Sequence, residues 1–181
     1  MLTYFILWIA GFIISMLVFL YFSWAFHKVT IEEKKLWPFK IVYKEHKGNY
    51  KETGTIMDNI YKKLLEDNIK TTRWIWIYYD NPGKIPMAQL RSDGWCIVEK
   101  EDYNKLESLW SKYKSKDIAK WLCIVSEFPY KNKLSIMIGI LKVYPTLWKY
   151  TKEKKYEQWP ITEIYDQANK KIIYSMFISI I

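Results

Sequence analysis

Two hydrophobic periods alternate along this chain after an opening run that has neither. From Pro38 to Glu45 apolar and polar positions alternate, which predicts a strand. A turn at His46–Tyr50 follows, and then Lys51 to Asn68 switches to a helical period. Ile56, Met57, Ile60, Tyr61, Leu64 and Leu65 fall on one face there, and Lys51, Glu52, Asp58, Lys62, Lys63 and Glu66 on the other. Thr71–Tyr79 returns to period two and stops at Asp80-Asn-Pro-Gly83, a turn-forming sequence. Ser92–Lys100 predicts a third strand.

The same order then recurs. Lys120–Phe128 predicts a strand and Lys133–Lys152 a helix, with Gly139 allowing a close neighbour and Pro145 expected to kink it. Trp159–Asp166 and Lys171–Ile178 predict a closing hairpin across Gln167–Asn169. Glu101–Lys116 reads as one helix joining the halves. Two β-α-β-β units in tandem imply a pseudo-symmetric α+β domain with its helices on one face of the sheet. In that arrangement Ile75, Ile77 and Tyr79 would pack under the helices. Trp74, Trp76 and Tyr78 would point away from them, opposite Ile161, Glu163 and Tyr165, and line a groove between the halves.

The opening run changes the picture. Leu2 to Phe26 is 25 residues without an acidic or basic residue. As a helix it would measure about 37 Å, longer than the roughly 30 Å hydrocarbon core of a bilayer. Tyr4, Phe5 and Trp8 gather near one end and Tyr21, Phe22, Trp24 and Phe26 near the other, as in aromatic belts at membrane interfaces. A signal peptide cleaved after Ser23-Trp-Ala25 competes, but no basic segment precedes the run and its apolar part is long. The organisation expected is therefore a transmembrane anchor over residues 1–27, a juxtamembrane linker over 28–36 and a folded domain over 37–181. Lys28, Lys34 and Lys35 follow the span, which predicts a cytoplasmic carboxyl-terminal domain. Cys96 and Cys123, read as small buried hydrophobes, agree with a reducing compartment. The net charge of +9 comes from lysines interleaved with Glu and Asp, which reads as a solvated surface that also suits an anionic leaflet. Nucleic acid binding is not expected, because no Arg-rich stripe, zinc motif or recognition helix is present.

Candidate chemistry is sparse. Two histidines occur: His27 at the membrane boundary, and His46 in a turn, where an ordinary turn residue is favoured over a haem ligand. The cysteines lack metal-ligand spacing, and Ser126 and Ser135 lack a nucleophile context, so no cofactor or metal is expected. Glu163 stands out because it alternates with Ile161 and Tyr165. It is either a half-solvated edge carboxylate or an acid held among rings. In the first case the aromatic trio is a core layer. In the second the site selects flat, apolar, cationic ligands by stacking, cation–π contact and charge pairing. Burial would also raise its pKa toward the range useful for general acid–base work.

The segments Ile77–Pro82 with Pro86, Leu90 and Arg91, then Phe128–Tyr130, Leu134–Ile136, Val143–Pro145 and Glu163–Tyr165, resemble in unbroken order the GyrI-like (gyrase-inhibitor-like) ligand-binding domains, over roughly Lys35 to Ile178. That resemblance implies the tandem β-α-β-β fold, also described as SOUL-type, and a small-molecule site whose glutamate falls on Glu163 and whose last-strand tyrosine falls on Tyr174. It implies effector binding as the activity, with hydrolysis of strained electrophiles, Glu163 acting as acid or base, as the alternative. With an amino-terminal span the arrangement is also similar to membrane-anchored family members that act as autophagy receptors through a long disordered tail. The sequence ends at Ile181, directly after the last predicted strand and without that tail, so a membrane adaptor recruiting protein partners through the groove or basic surface stands as a further alternative, and without a DNA-binding domain transcription regulation is not expected.

Overall fold

The computed structural model describes residues 1–22, 26–36 and 38–178. The Ser23–Ala25 stretch weighed above as a cleavage site, with Trp24 of the aromatic belt, lies outside them. The opening run forms helix α1 (Leu2–Phe22), and over Leu2–Tyr21 it is long and apolar enough to cross a membrane. Then come strands β1 (Glu32–Leu36) and β2 (Phe39–Lys47), one 3-10 turn, helix α2 (Thr53–Glu66), and strands β3 (Arg73–Tyr78) and β4 (Arg91–Ile97). A second 3-10 turn (Met87–Gln89) lies between β3 and β4, and a third (Lys100–Lys105) leads into helix α3 (Leu106–Lys112) and strand β5 (Ser115–Ile118). Strand β6 (Trp121–Pro129), helix α4 (Lys133–Lys154) and strands β7 (Ile161–Asp166) and β8 (Lys171–Phe177) follow.

All eight strands form one antiparallel sheet in the order β1-β6-β8-β7-β3-β4-β2-β5. The order reads the same from either end once the two repeats are equated. Each β-α-β-β unit places its last strand between its first two, the units meet where β3 pairs with β7, and each acquires an extra edge strand. This is the expected α+β repeat architecture. The edge strands were not expected. Glu32–Leu36, read as linker, pairs with β6, and the end of the segment read as one helix over Glu101–Lys116 becomes β5. Both are short and rich in charge, which hides them from a test based on alternation and suits a strand with one unpaired side.

Local chemistry fixes the helix ends. Asn132 caps α4, its side chain accepting from the Ser135 amide in a capping box, and α4 stops at Lys155 in the left-handed region. Asn68, also left-handed, follows the end of α2, and Ile69 N–H returns to the Leu64 carbonyl. Helix α4 runs without interruption through Pro145.

The two faces of the sheet bury different side chains. One packs against Met57, Ile60 and Leu64 of α2, Leu109 of α3, and Val143 and Leu147 of α4. The other gathers Ile41, Ile75, Ile77, Trp95, Ile97, Cys123, Val125, Ile164 and Ile173. On this second face Trp95 of β4 meets Trp121 of β6 at 6.2 Å, although three strands lie between them in the order. The sheet is thus curled toward that face into a half-barrel, and the helices cover its outer, convex side.

That curl overturns one expectation. Trp74, Trp76 and Tyr78 face the helices, and Ile75 and Ile77 face away from them. Branched aliphatic side chains fit the tight inside of a curled sheet, while large rings fill the diverging space where two helices leave the strands.

Candidate functional site

The register of β3 on β7 sets Trp74 opposite Tyr165, Trp76 opposite Glu163 and Tyr78 opposite Ile161, as neighbours in one sheet and not across a groove. On the other side of β7, Glu163 lies opposite Tyr174 of β8. Trp76, Glu163 and Tyr174 therefore form one row across the centre of the sheet, beneath the space between α2 and α4. Of the two readings left open for Glu163, the solvated edge is excluded: it sits on a central strand and is 2% exposed.

Rings wall this row on all sides. Trp74 stacks on Tyr165 at 6.0 Å, and Trp76 on Tyr78 at 6.3 Å. Tyr50 leans on Tyr78 at 4.8 Å, and Tyr130 meets Tyr165 edge-on at 6.1 Å. Tyr144 of α4 stands edge-on to Tyr174 at 5.7 Å. Two glycines make the space. A Cβ on Gly94 would lie 2.8 Å from the Trp76 ring, and one on Gly139 would lie 3.1 Å from the Tyr174 ring and 3.2 Å from Phe128.

The carboxylate is held by phenols. Tyr165 donates to one Glu163 oxygen at 2.6 Å and Tyr144 donates to the other. The Tyr78 hydroxyl, itself coupled to Thr53 at the start of α2, acts on the same carboxylate. Burial pushes the Glu163 pKa up, and the three hydroxyls pull it back part of the way. Burial, and then the neighbouring Glu163 charge, hold Tyr78, Tyr144 and Tyr165 well above the ordinary phenol value, and raise Tyr174 as well. The phenols therefore stay protonated and remain donors. Among the described residues no Lys, Arg or His forms an ion pair with Glu163, and every side chain acting on its charge is a tyrosine.

All six residues singled out from the sequence, Trp74, Trp76, Tyr78, Glu163, Tyr165 and Tyr174, meet on this face. Sequence reasoning missed Tyr144, Tyr130, Tyr50 and Thr53. Tyr144 left a signal, being a ring beside Val143 on a helix whose buried positions, Ser135, Gly139, Val143, Leu147 and Thr151, are mostly small. The remaining chemistry lies elsewhere. His46 Nε2 is 3.3 Å from the Asn49 carbonyl within its own turn. Cys96 packs on Met57, and burial pushes both cysteines up to about 12, so they behave as inert hydrophobes.

No family model matches the chain. Over 136 residues, 70% of its length, it is 32% identical to Testis-expressed protein 264 from Homo sapiens and equally to the Mus musculus homolog. The chain spans about four-tenths of the length of these curated relatives, 41%. Among solved structures, the C-terminal domain of EcmrR superposes with a TM-score of 0.58 at 10% identity, covering 84% of this chain and 99% of that one. SAV2435, solved bound to tetraphenylphosphonium, superposes with a TM-score of 0.54 at 9% identity, covering 84% and 94%. The chain therefore shares the GyrI-like fold of these two proteins.

Proposed function

We propose that this domain captures a bulky apolar cation between α2 and α4, with Glu163 as the counter-charge and Trp74, Trp76, Tyr78, Tyr165 and Tyr174 as the walls. The observation that carries the reading is a buried carboxylate surrounded by neutral donors and aromatic faces, with no cation of the protein's own among the described residues. Buried carboxylates are ordinarily paired with a cation or neutralised by protonation. Here burial raises the cost of the bare charge, and a ligand cation entering the row would lower it by pairing with the carboxylate. Ring faces add cation–π attraction of about 2 kcal/mol once water is excluded. That SAV2435 binds a phosphonium of this shape supports the ligand class. Both Glu163 oxygens already accept hydroxyl donors, which favours binding over activation of a water molecule. Turnover of a cyclopropane-bearing electrophile would reverse that order.

In the same reading, α1 and the residues up to 27 tether the domain to a membrane, and the lysines after the span hold it on the cytoplasmic side. Protease protection in sealed vesicles tests that half: a domain shielded inside the lumen would reject the orientation.

The ligand half is tested with full-length protein in lipid nanodiscs titrated with tetraphenylphosphonium, using Glu163→Gln nanodiscs as the reference for partition into lipid. Loss of at least about tenfold in affinity, or roughly 1.4 kcal/mol, is expected for the variant. Equal affinity in both proteins would remove Glu163 from the site.

A further inference from the structure

Most of the outward surface of α2 is polar, as expected for a helix packed on one side: Thr55, Asp58, Asn59, Lys62, Lys63 and Glu66 are exposed, with Tyr61 and Leu65 the large apolar side chains among them. Helix α4 differs. From Lys133 to Trp148 its exposed positions fall on one line at helical spacing, Lys133, Met137, Leu141, Pro145 and Trp148, and the charged Lys149, Lys152, Glu153 and Lys154 widen it at the far end. The middle of that line is apolar and open, with Met137 61%, Leu141 73% and Trp148 37% exposed. Scattered exposed hydrophobes are ordinary, but a continuous line about 16 Å long from Met137 to Trp148 is not.

The chain leaving α1 arrives at this helix. The Lys142 ammonium donates to the His27 carbonyl at 2.6 Å, the His27 ring lies 5.2 Å from Phe128, and Val29 and Ile31 pack into the helix-side core. Five residues from the end of α1 reach at most about 18 Å. The end of the apolar span is thus confined near Lys142, next to Leu141 and at the middle of the exposed line. At this junction Phe26 is also exposed.

We infer that α4 is an interfacial helix, lying on the bilayer that holds α1 with Met137, Leu141, Pro145 and Trp148 against the acyl boundary. Lysines at both ends, Lys133 on one side and Lys149 and Lys152 on the other, reach anionic headgroups. This inference rests on the reading of α1 as a membrane anchor. The helix resting on lipid is then also the one that supplies Tyr144 to Glu163. A lipophilic cation concentrated at the membrane surface would reach the site from beside that helix.

The test is spin labelling of the full chain in nanodiscs holding one copy each, comparing nitroxide collision with oxygen and with a water-soluble nickel chelate. Labels are placed at Phe12→Cys in α1, Leu141→Cys in α4 and Lys62→Cys in α2, with Cys96 and Cys123 replaced by alanine. The expected result is lipid-like accessibility at positions 12 and 141 and water-like accessibility at 62, with nickel access at 141 several-fold below that at 62. A lipid-like label at 12 with a water-like one at 141 would overturn the interfacial helix and leave the anchor standing. Water-like signals at both would remove the anchor and the inference together. Protection of 141 that appears when several copies share a vesicle, and is absent with one, would assign the face to a second copy of the chain and overturn the lipid assignment.

Discussion

The β2-α2-β3-β4 and β6-α4-β7-β8 repeats trace the same path, but their helices meet the sheet in different ways. Helix α2 sets Met57, Ile60 and Leu64 on the strands, an ordinary layer of large side chains. Helix α4 buries Ser135, Gly139, Val143, Leu147 and Thr151, a line of mostly small side chains. Small residues let α4 approach closely enough for Tyr174 to fit beneath Gly139 and for Tyr144 to reach Glu163. The repeat that carries the acid is thus also the one whose helix is cut to shape around it. The shared path supplies the frame, and the small buried residues of one helix supply the room around the acid.

The sharpest way to break this comparison is the same substitution in both helices. Gly139→Ala drives a methyl group into the buried Tyr174 ring and Phe128. It should destabilise the fold by about 3 kcal/mol, the upper end for overpacking, because neither ring has room to move. Gly54→Ala in α2 meets nothing within 4 Å and should stabilise by about 0.5 kcal/mol through helix propensity. Thermal midpoints of the full chain in mild detergent check both. Equal effects would mean that α4 does not sit as close to the sheet as described.

Next in size is the hydroxyl that α4 contributes. Tyr144→Phe leaves one oxygen of a buried carboxylate without its donor and should cost about 1–2 kcal/mol. Tyr174→Phe, whose hydroxyl reaches the Ile136 carbonyl at 3.5 Å, should cost less than about 1 kcal/mol. A reversed order would shift the support of Glu163 from α4 to β8.

Much of this was legible in the residues. Alternation in Trp74–Tyr78 and Ile161–Tyr165 was enough to group the two trios, and the register of β3 on β7 then sets Trp76 against Glu163. What alternation cannot give is the sense of the curl. Which side of a sheet becomes concave depends on the twist summed over eight strands and on contacts such as Trp95 with Trp121. Residue size alone therefore points the trio away from the helices, whereas the curl puts it beneath them. The short charged edges Glu32–Leu36 and Ser115–Ile118 were invisible for a related reason, because each is defined by its partner and not by its own pattern.

A third prediction separates the acids by sign. The folded-state pKa of Glu163 is raised, so its contribution to stability is fully present below the ordinary carboxylate value and is lost as pH rises through the folded value. Glu163→Gln keeps the neutral form at every pH. It should flatten the fall of the midpoint that sets in above the ordinary carboxylate value. A wild-type midpoint that climbs as pH rises, with the climb abolished by Glu163→Gln, would mean that the site holds its acid ionised.

The smallest effect belongs to a feature both repeats share. In each, a glutamate on the first strand takes a lysine from the flanking edge. Glu45 of β2 pairs with Lys114, just ahead of β5, at 2.9 Å, and Glu127 of β6 pairs with Lys34 of β1 at 2.8 Å. The second repeat adds Lys171 at 2.8 Å, and its three side chains are about a third exposed, against roughly three-fifths in the first. Burial pushes the Glu127 carboxyl up, but the two lysines outweigh it and hold the pKa below the ordinary value. Its stabilisation is therefore present above that value and lost as pH falls through the lowered one, the opposite sense to Glu163. After allowance for screening, Glu127→Gln should cost up to about 1 kcal/mol and Glu45→Gln no more than about 0.5. The Glu127 variant should also lose part of the acid arm of the midpoint profile. If the two variants prove indistinguishable at low salt, the second lysine contributes nothing, and the repeats differ in their helices while their edges are equivalent.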